Sequence, residues 1–104
     1  MARVIRRPRA RLDLLEIWRY IADEAGETRA DQYLRRLNDI IDYLAQQPLM
    51  GRARPELGPV VRSFPRAAYV VFYEPIDDGI ELLRVIRADR DLDTAWNEPF
   101  NEPG

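Results

Sequence analysis

The chain reads as an α+β domain of order β-α-α-β-β-β, a helical hairpin packed on one face of a small antiparallel sheet. Three observations predict it. Apolar residues recur at steps of three and four through a long N-terminal stretch interrupted near Gly26. Residues 48–59 then hold three prolines and two glycines, which sustain neither a helix nor a central strand. Beyond them lie three runs rich in β-branched and aromatic residues, joined by short connections. At 104 residues there is room for one core and not for two.

Residues 3–7 are short, with Val4 and Ile5 at the centre and Pro8 as a stop, and predict a first strand. Leu12, Leu15, Trp18, Ile21, Ala22 and Ala25 predict an amphipathic helix over about 9–25, ended by Gly26. Thr28 and Asp31 resemble a capping arrangement, and Ala30, Tyr33, Leu34, Leu37, Ile40, Ile41, Leu44 and Ala45 carry a second helix up to Pro48. So short a link folds the helices into a hairpin with both stripes facing one way. Residues 60–64, 68–73 and 80–87 read as strands, the last two joined through Asp77-Asp78-Gly79, and short connections make them an antiparallel meander. A single domain over 1–92 is expected, followed by an acidic, loose tail over 93–104.

Strict alternation places Ala68, Val70 and Phe72 on one face of their strand and Tyr69, Val71 and Tyr73 on the other. It likewise sets Ile80, Leu82, Arg84 and Ile86 against Glu81, Leu83, Val85 and Arg87. Both faces of the central strands are therefore apolar, and the hairpin covers only one. The tail or another chain must cover the second.

The composition is that of a globular domain, 46% hydrophobic and 33% charged. It contains no His, no Cys and no Lys, so all sixteen basic residues are Arg. This excludes Ser-His-Asp and Cys-His triads, His or thiolate zinc sites, Schiff bases and the P-loop lysine. There is no apolar run of signal-peptide or membrane-spanning length, so a cytoplasmic protein is expected. The net charge of −2 is unevenly spread: +5 over residues 1–11, −4 over 12–50, +3 over 51–73 and −6 over 74–104.

Arg62, Arg84 and Arg87 are the arginines set in strands, and rigid elements hold side chains accurately. If Arg62 and Arg84 lie on neighbouring strands, their guanidiniums can together take a phosphate or a partner carboxylate; the plainer alternative pairs them with Glu56, Glu74 or Glu81. Tyr69 and Tyr73 read as packing aromatics. Asp89, Asp91 and Asp93 lack the glycine and distal Glu of a Ca²⁺ loop. Asp13 and Glu16 share a helix face and read as a solvated pair. No metal site, cofactor or catalytic residue is expected.

Several stretches, taken in order, resemble the ParE family of toxins from bacterial toxin–antitoxin modules, within the RelE/ParE superfamily. They are Pro8-Arg9-Ala10 and the run from Asp13 to Ala22; Leu44-Ala45-Gln46-Gln47-Pro48; Met50-Gly51-Arg52 with Arg54-Pro55-Glu56-Leu57; Val61-Arg62-Ser63-Phe64; Tyr69-Val70-Val71-Phe72-Tyr73; and the run from Leu83 to Asp91. The resemblance implies the same β-α-α-β-β-β fold and a non-enzymatic toxin that blocks DNA gyrase and so replication. It also implies a ParD-like antitoxin that wraps the chain with a C-terminal amphipathic segment, and no direct nucleic-acid binding by the toxin alone. Candidate contacts with the antitoxin or target are Arg62, Tyr69, Val71, Leu83, Arg84 and Arg87, with Val85 beside them. The RelE branch instead cleaves mRNA on the ribosome. The stretch after Arg87 here, Ala88-Asp89-Arg90-Asp91, lacks the Tyr, His or Lys expected of that branch. A RelE-like endoribonuclease and an inactive homologue that only binds its antitoxin are the alternatives.

Overall fold

A computed structural model describes residues 2–100. Strand β1 (Arg3–Arg6) leads into helices α1 (Pro8–Ala25) and α2 (Glu27–Gln46), then a two-residue strand β2 (Arg52–Ala53). Strands β3 (Arg62–Arg66), β4 (Tyr69–Ile76) and β5 (Gly79–Arg87) come next, and helix α3 (Leu92–Trp96) closes the order. The sheet runs β1-β5-β4-β3-β2. The α+β class and the helical hairpin on one face are as expected. Strands β2 to β5 pair antiparallel, whereas β1 lies parallel to β5, so the sheet is mixed.

The hairpin link is a single residue. Gly26 sits at φ +91°, a conformation that residues with a Cβ rarely adopt, so α1 stops there and α2 begins at Glu27 with no side-chain cap. The expected capping role of Thr28 is not used. In α1 the inward stripe is Ala10, Asp13 and Ile17, with Leu14 and Ile21 beside it, while Leu15 is exposed. Periodicity identifies the helix but sets its face one residue off, because a carboxylate occupies a core position. In α2 the inward residues Ala30, Leu37, Ile41, Leu44 and Ala45 are those expected.

The helices cover Tyr69, Val71, Tyr73, Ile80, Leu82 and Val85. The opposite face carries a second cluster of Val61, Phe72, Leu83, Ile86 and Ala95, edged by Leu57, Leu92 and Trp96. A bulge explains how β5 serves both. Phe72 pairs with Arg84 but Tyr73 pairs with Leu82, so Leu83 is extra and the alternation expected from residue 80 to 87 breaks there. Leu82 and Val85 thereby face the helices, and Leu83 and Ile86 face outward.

The second face is covered by the chain's own C-terminal segment, which corrects the loose tail expected from residue 93; residues 101–104 lie outside those described. Asp91 caps α3 by accepting from Thr94 N at 3.1 Å and Thr94 Oγ1 at 2.6 Å. Trp96 packs edge-on against Phe72, with ring centroids 5.4 Å apart. Further on, Glu98 accepts from Arg9 Nη2 at 2.6 Å and Arg90 Nη2 at 2.9 Å, and the Arg9 guanidinium lies 5.1 Å over the Phe100 ring.

One buried cluster joins α1, β5 and α3. Arg84 donates to both oxygens of Asp13, from Nε at 2.8 Å and Nη2 at 3.2 Å, and from Nη1 to Ala95 O at 2.8 Å. Asp13 Oδ2 also takes the Val85 N–H at 2.9 Å, at a place β1 does not reach because its pairing with β5 stops at Leu82. Both residues are buried, at 7% exposure each. Asp13 is thus a structural group and not the solvated carboxylate expected.

Asp13→Ala leaves a buried guanidinium and an amide without their acceptor, and should remove about 3–5 kcal/mol of stability in urea unfolding. Combining it with Arg84→Met should recover part of that loss; no recovery would mean that the isolated charge is not its cause. Glu98 is held below the usual carboxylate range, chiefly by hydrogen bonds from Arg90 and Arg9, and Asp91 by those from Thr94. Their folded values are depressed, so their contribution is complete above the ordinary carboxylate pKa and lost as pH falls through the depressed one. In a Trp18→Phe background Trp96 is the sole tryptophan. Its emission should shift to the red on acidification through that range, and an unchanged spectrum would show that these contacts do not hold the segment.

Candidate functional site

Past Leu82 one edge of β5 has no partner strand, because β1 turns away there into α1; Asp13 takes the Val85 amide on that edge. Along that edge runs a groove of about 190 Å³ between α1 and β5, lined by Glu16, Ile17, Tyr20, Tyr69, Arg87 and Arg90. Arg87 stands at its mouth. Its guanidinium lies 5.9 Å from the centre of the exposed Tyr20 ring and pairs with Asp89 at 2.9 Å. The Asp13–Arg84 pair borders the groove but has its hydrogen bonds filled from within.

The outer face holds a second concavity of similar size, floored by Val70, Phe72 and Ile86 and rimmed by Arg54, Arg87 and Arg90. Arg54 lies 5.7 Å over the Phe72 ring, pairs with Glu56 at 2.9 Å and donates to Ser63 Oγ at 3.1 Å.

The sequence-derived candidates are dispersed. Tyr69, Val71 and Val85 are buried beneath the helices, and Leu83 is buried in the outer cluster with Ala95. As surfaces for a partner they are corrected: the chain itself covers them. Arg62 and Arg84 are not on neighbouring strands, since β4 lies between β3 and β5, and so cannot share one anion. Arg84 pairs with Asp13 rather than Glu56, Glu74 or Glu81. Arg62 donates from Nη1 to Gly51 O at 2.6 Å and to Leu49 O at 3.4 Å. Arg87 alone of the six combines exposure with a place at a groove. Tyr20 and Glu16 were missed as groove residues. The signal for them was that they flank Ile17, on the helix face where Asp13 interrupts the apolar stripe.

Burial raises the pKa of both Tyr69 and Tyr73, so neither hydroxyl gives up its proton near neutral pH. Tyr73 Oη is also fully committed, accepting from Gly51 N and donating to Pro48 O, both at 2.8 Å. Among the described residues no group of three His, Cys, Asp or Glu side chains is placed to hold a metal ion, and no helix is long and apolar enough to cross a membrane. What the surface offers chemically is a set of guanidiniums beside apolar concavities, suited to binding.

The family model described as the ParE toxin of type II toxin-antitoxin system, parDE, matches residues 4–92. Toxin ParE1 of Mycobacterium tuberculosis is 36% identical over 93 residues, covering 88% of this chain and 95% of the relative. Toxin ParE1 of Caulobacter vibrioides is 33% identical over 78 residues, covering 75% and 80%. A solved structure titled as the chromosomal ParDE TA system from P. aeruginosa shares the fold, with a TM-score of 0.71 at 22% identity over 86% of this chain and 98% of that one. With the family match spanning nearly all of the helical hairpin and sheet just described, this chain belongs to the ParE toxin family of type II toxin–antitoxin systems.

Proposed function

We propose that this toxin inhibits DNA gyrase by binding it, without catalysis of its own, and that a ParD-like antitoxin neutralises it by occupying the groove between α1 and β5. The open edge of β5 carries the antitoxin reading. A partner segment laid there gains main-chain hydrogen bonds from the part of the edge beyond the Val85 amide, which Asp13 already holds, while its side chains meet Tyr20 and Arg87. The solved structure with the same fold is titled as a ParDE system, which agrees with such a partner.

Gyrase as the target, in the cytoplasm, rests on the family resemblance. Contact rather than chemistry is supported by the state of the side chains: the strand arginines most deeply placed are engaged by Asp13 and by loop carbonyls, and the buried tyrosines stay protonated. The endoribonuclease alternative needs Arg62, Arg84 and Arg87 to act together, and the strand order separates the first two.

Purified protein titrated into gyrase supercoiling and DNA-cleavage assays should inhibit and trap cleavage complexes, with reversal by the antitoxin. No effect at large excess of folded protein would overturn the gyrase reading. The double substitution Tyr20→Ala/Arg87→Glu, at two exposed positions, should weaken antitoxin binding by tenfold or more, about 1.4 kcal/mol, with an unchanged thermal transition. Equal affinity in calorimetry would remove the groove as the antitoxin site.

A further inference from the structure

At the β2 end of the sheet, far in strand order from the α1–β5 groove, a short loop displays apolar side chains while its backbone is tied down from beneath. Residues 48–51 come just after the end of α2. Tyr73, fully buried in β4, inserts its hydroxyl between the Gly51 N–H and the Pro48 carbonyl. Arg62, in β3, binds the carbonyls of Gly51 and Leu49. Gly51 has no space for a side chain, because a Cβ there would lie 2.5 Å from Tyr73 Oη and 2.9 Å from Ser63 O. A tyrosine hydroxyl, an arginine fork and a close-packed glycine thus hold one loop in one conformation.

That loop presents Leu49 at 71% exposure and Met50 at 48%, with Val60 at 55% nearby. A groove of about 330 Å³ runs between Leu49 and Val60, with Pro59, Val61 and Pro75 among its walls. Single exposed aliphatics are ordinary. Leu49 and Val60 line this groove, and Met50 stands beside Leu49 on the same loop, against Gln47 and Pro48; on a backbone fixed in advance they form an anchor that loses little entropy on binding. Charge defines what fits. Arg54 and Arg62 line the groove and Arg52 is exposed in the adjoining strand β2, against the single nearby acid Glu56, which pairs with Arg54. The complementary surface is an apolar side chain flanked by carboxylates.

We propose that the loop 48–51 and Val60 form the surface with which this toxin grips its target protein, receiving in the groove an apolar side chain of the target that has acidic neighbours. The inference rests on the gyrase reading and assigns the target to the β2 end of the sheet, with the antitoxin on the α1–β5 groove. Tyr73 and Arg62 act as positioning residues for the anchor.

The test is the double variant Leu49→Ser/Met50→Ser, whose exposed positions leave the core untouched, compared with wild type in gyrase supercoiling inhibition, antitoxin calorimetry and thermal unfolding. The expected result is inhibition by wild type, at least about tenfold weaker inhibition by the variant, and unchanged antitoxin affinity and unfolding temperature. Tyr73→Phe, which frees the loop but leaves Leu49 and Met50 in place, should also weaken inhibition while the antitoxin still binds. Inhibition by the double variant equal to wild type overturns the anchor while the gyrase reading stands. A matching loss of antitoxin affinity overturns it by assigning the surface to the antitoxin. Wild type without effect on gyrase overturns the target reading, and this inference with it.

Discussion

The buried pair of Asp13 and Arg84 is the constraint on which the remaining architecture depends. A carboxylate and a guanidinium withdrawn from water are tolerated only when nearly every donor and acceptor is filled. Here the filling comes from three elements: the α1 carboxylate, the β5 guanidinium and main-chain amide, and the last turn of α3. The pair therefore sets how α1 lies along β5 and how the C-terminal segment is drawn across the outer face. It also borders the groove beside β5, whose polar lining further includes Glu16, Tyr20, Arg87 and Arg90.

An all-arginine basic set suits this construction. Arg84 reaches a carboxylate edge-on with two nitrogens and a carbonyl with a third; Arg62 spans two carbonyls of one loop; Arg9 joins Glu98, the Pro99 carbonyl and the Phe100 ring. A planar fork with several donors makes such junctions, and an ammonium acting as a point charge does not. Many arginines that look like a basic surface in the sequence are fasteners between elements of the fold.

The helices and main strands were legible because burial leaves a period. Leu37, Ile41 and Leu44 mark one face of α2, and the apolar residues on both sides of β4 announce a sheet covered twice. Features without a period escaped. The bulge at Leu83 reverses the facing of the residues from Arg84 to Arg87, and nothing in the run from Ile80 to Arg87 marks it. Asp13 has the composition of a surface residue and the position of a core one, since its partner lies 71 residues away. Of the candidate residues, Arg87 is exposed and lines a groove. Tyr69, Val71 and Leu83 were chosen because they are apolar, the same property that buried them under the chain's own helices and tail.

The parallel pairing of β1 with β5 has a consequence in time. Arg3 to Arg6 find their partners in residues 79–82, so the N-terminal strand stays unpaired until most of the chain exists. Contacts this remote in sequence form late. At about 5–20 residues per second on the ribosome, roughly 4 to 15 s separate synthesis of the two strands. Asp13 waits equally long for Arg84. The core thus cannot be completed piecemeal during translation, and the fold contains a delay between the synthesis of β1 and its pairing with β5.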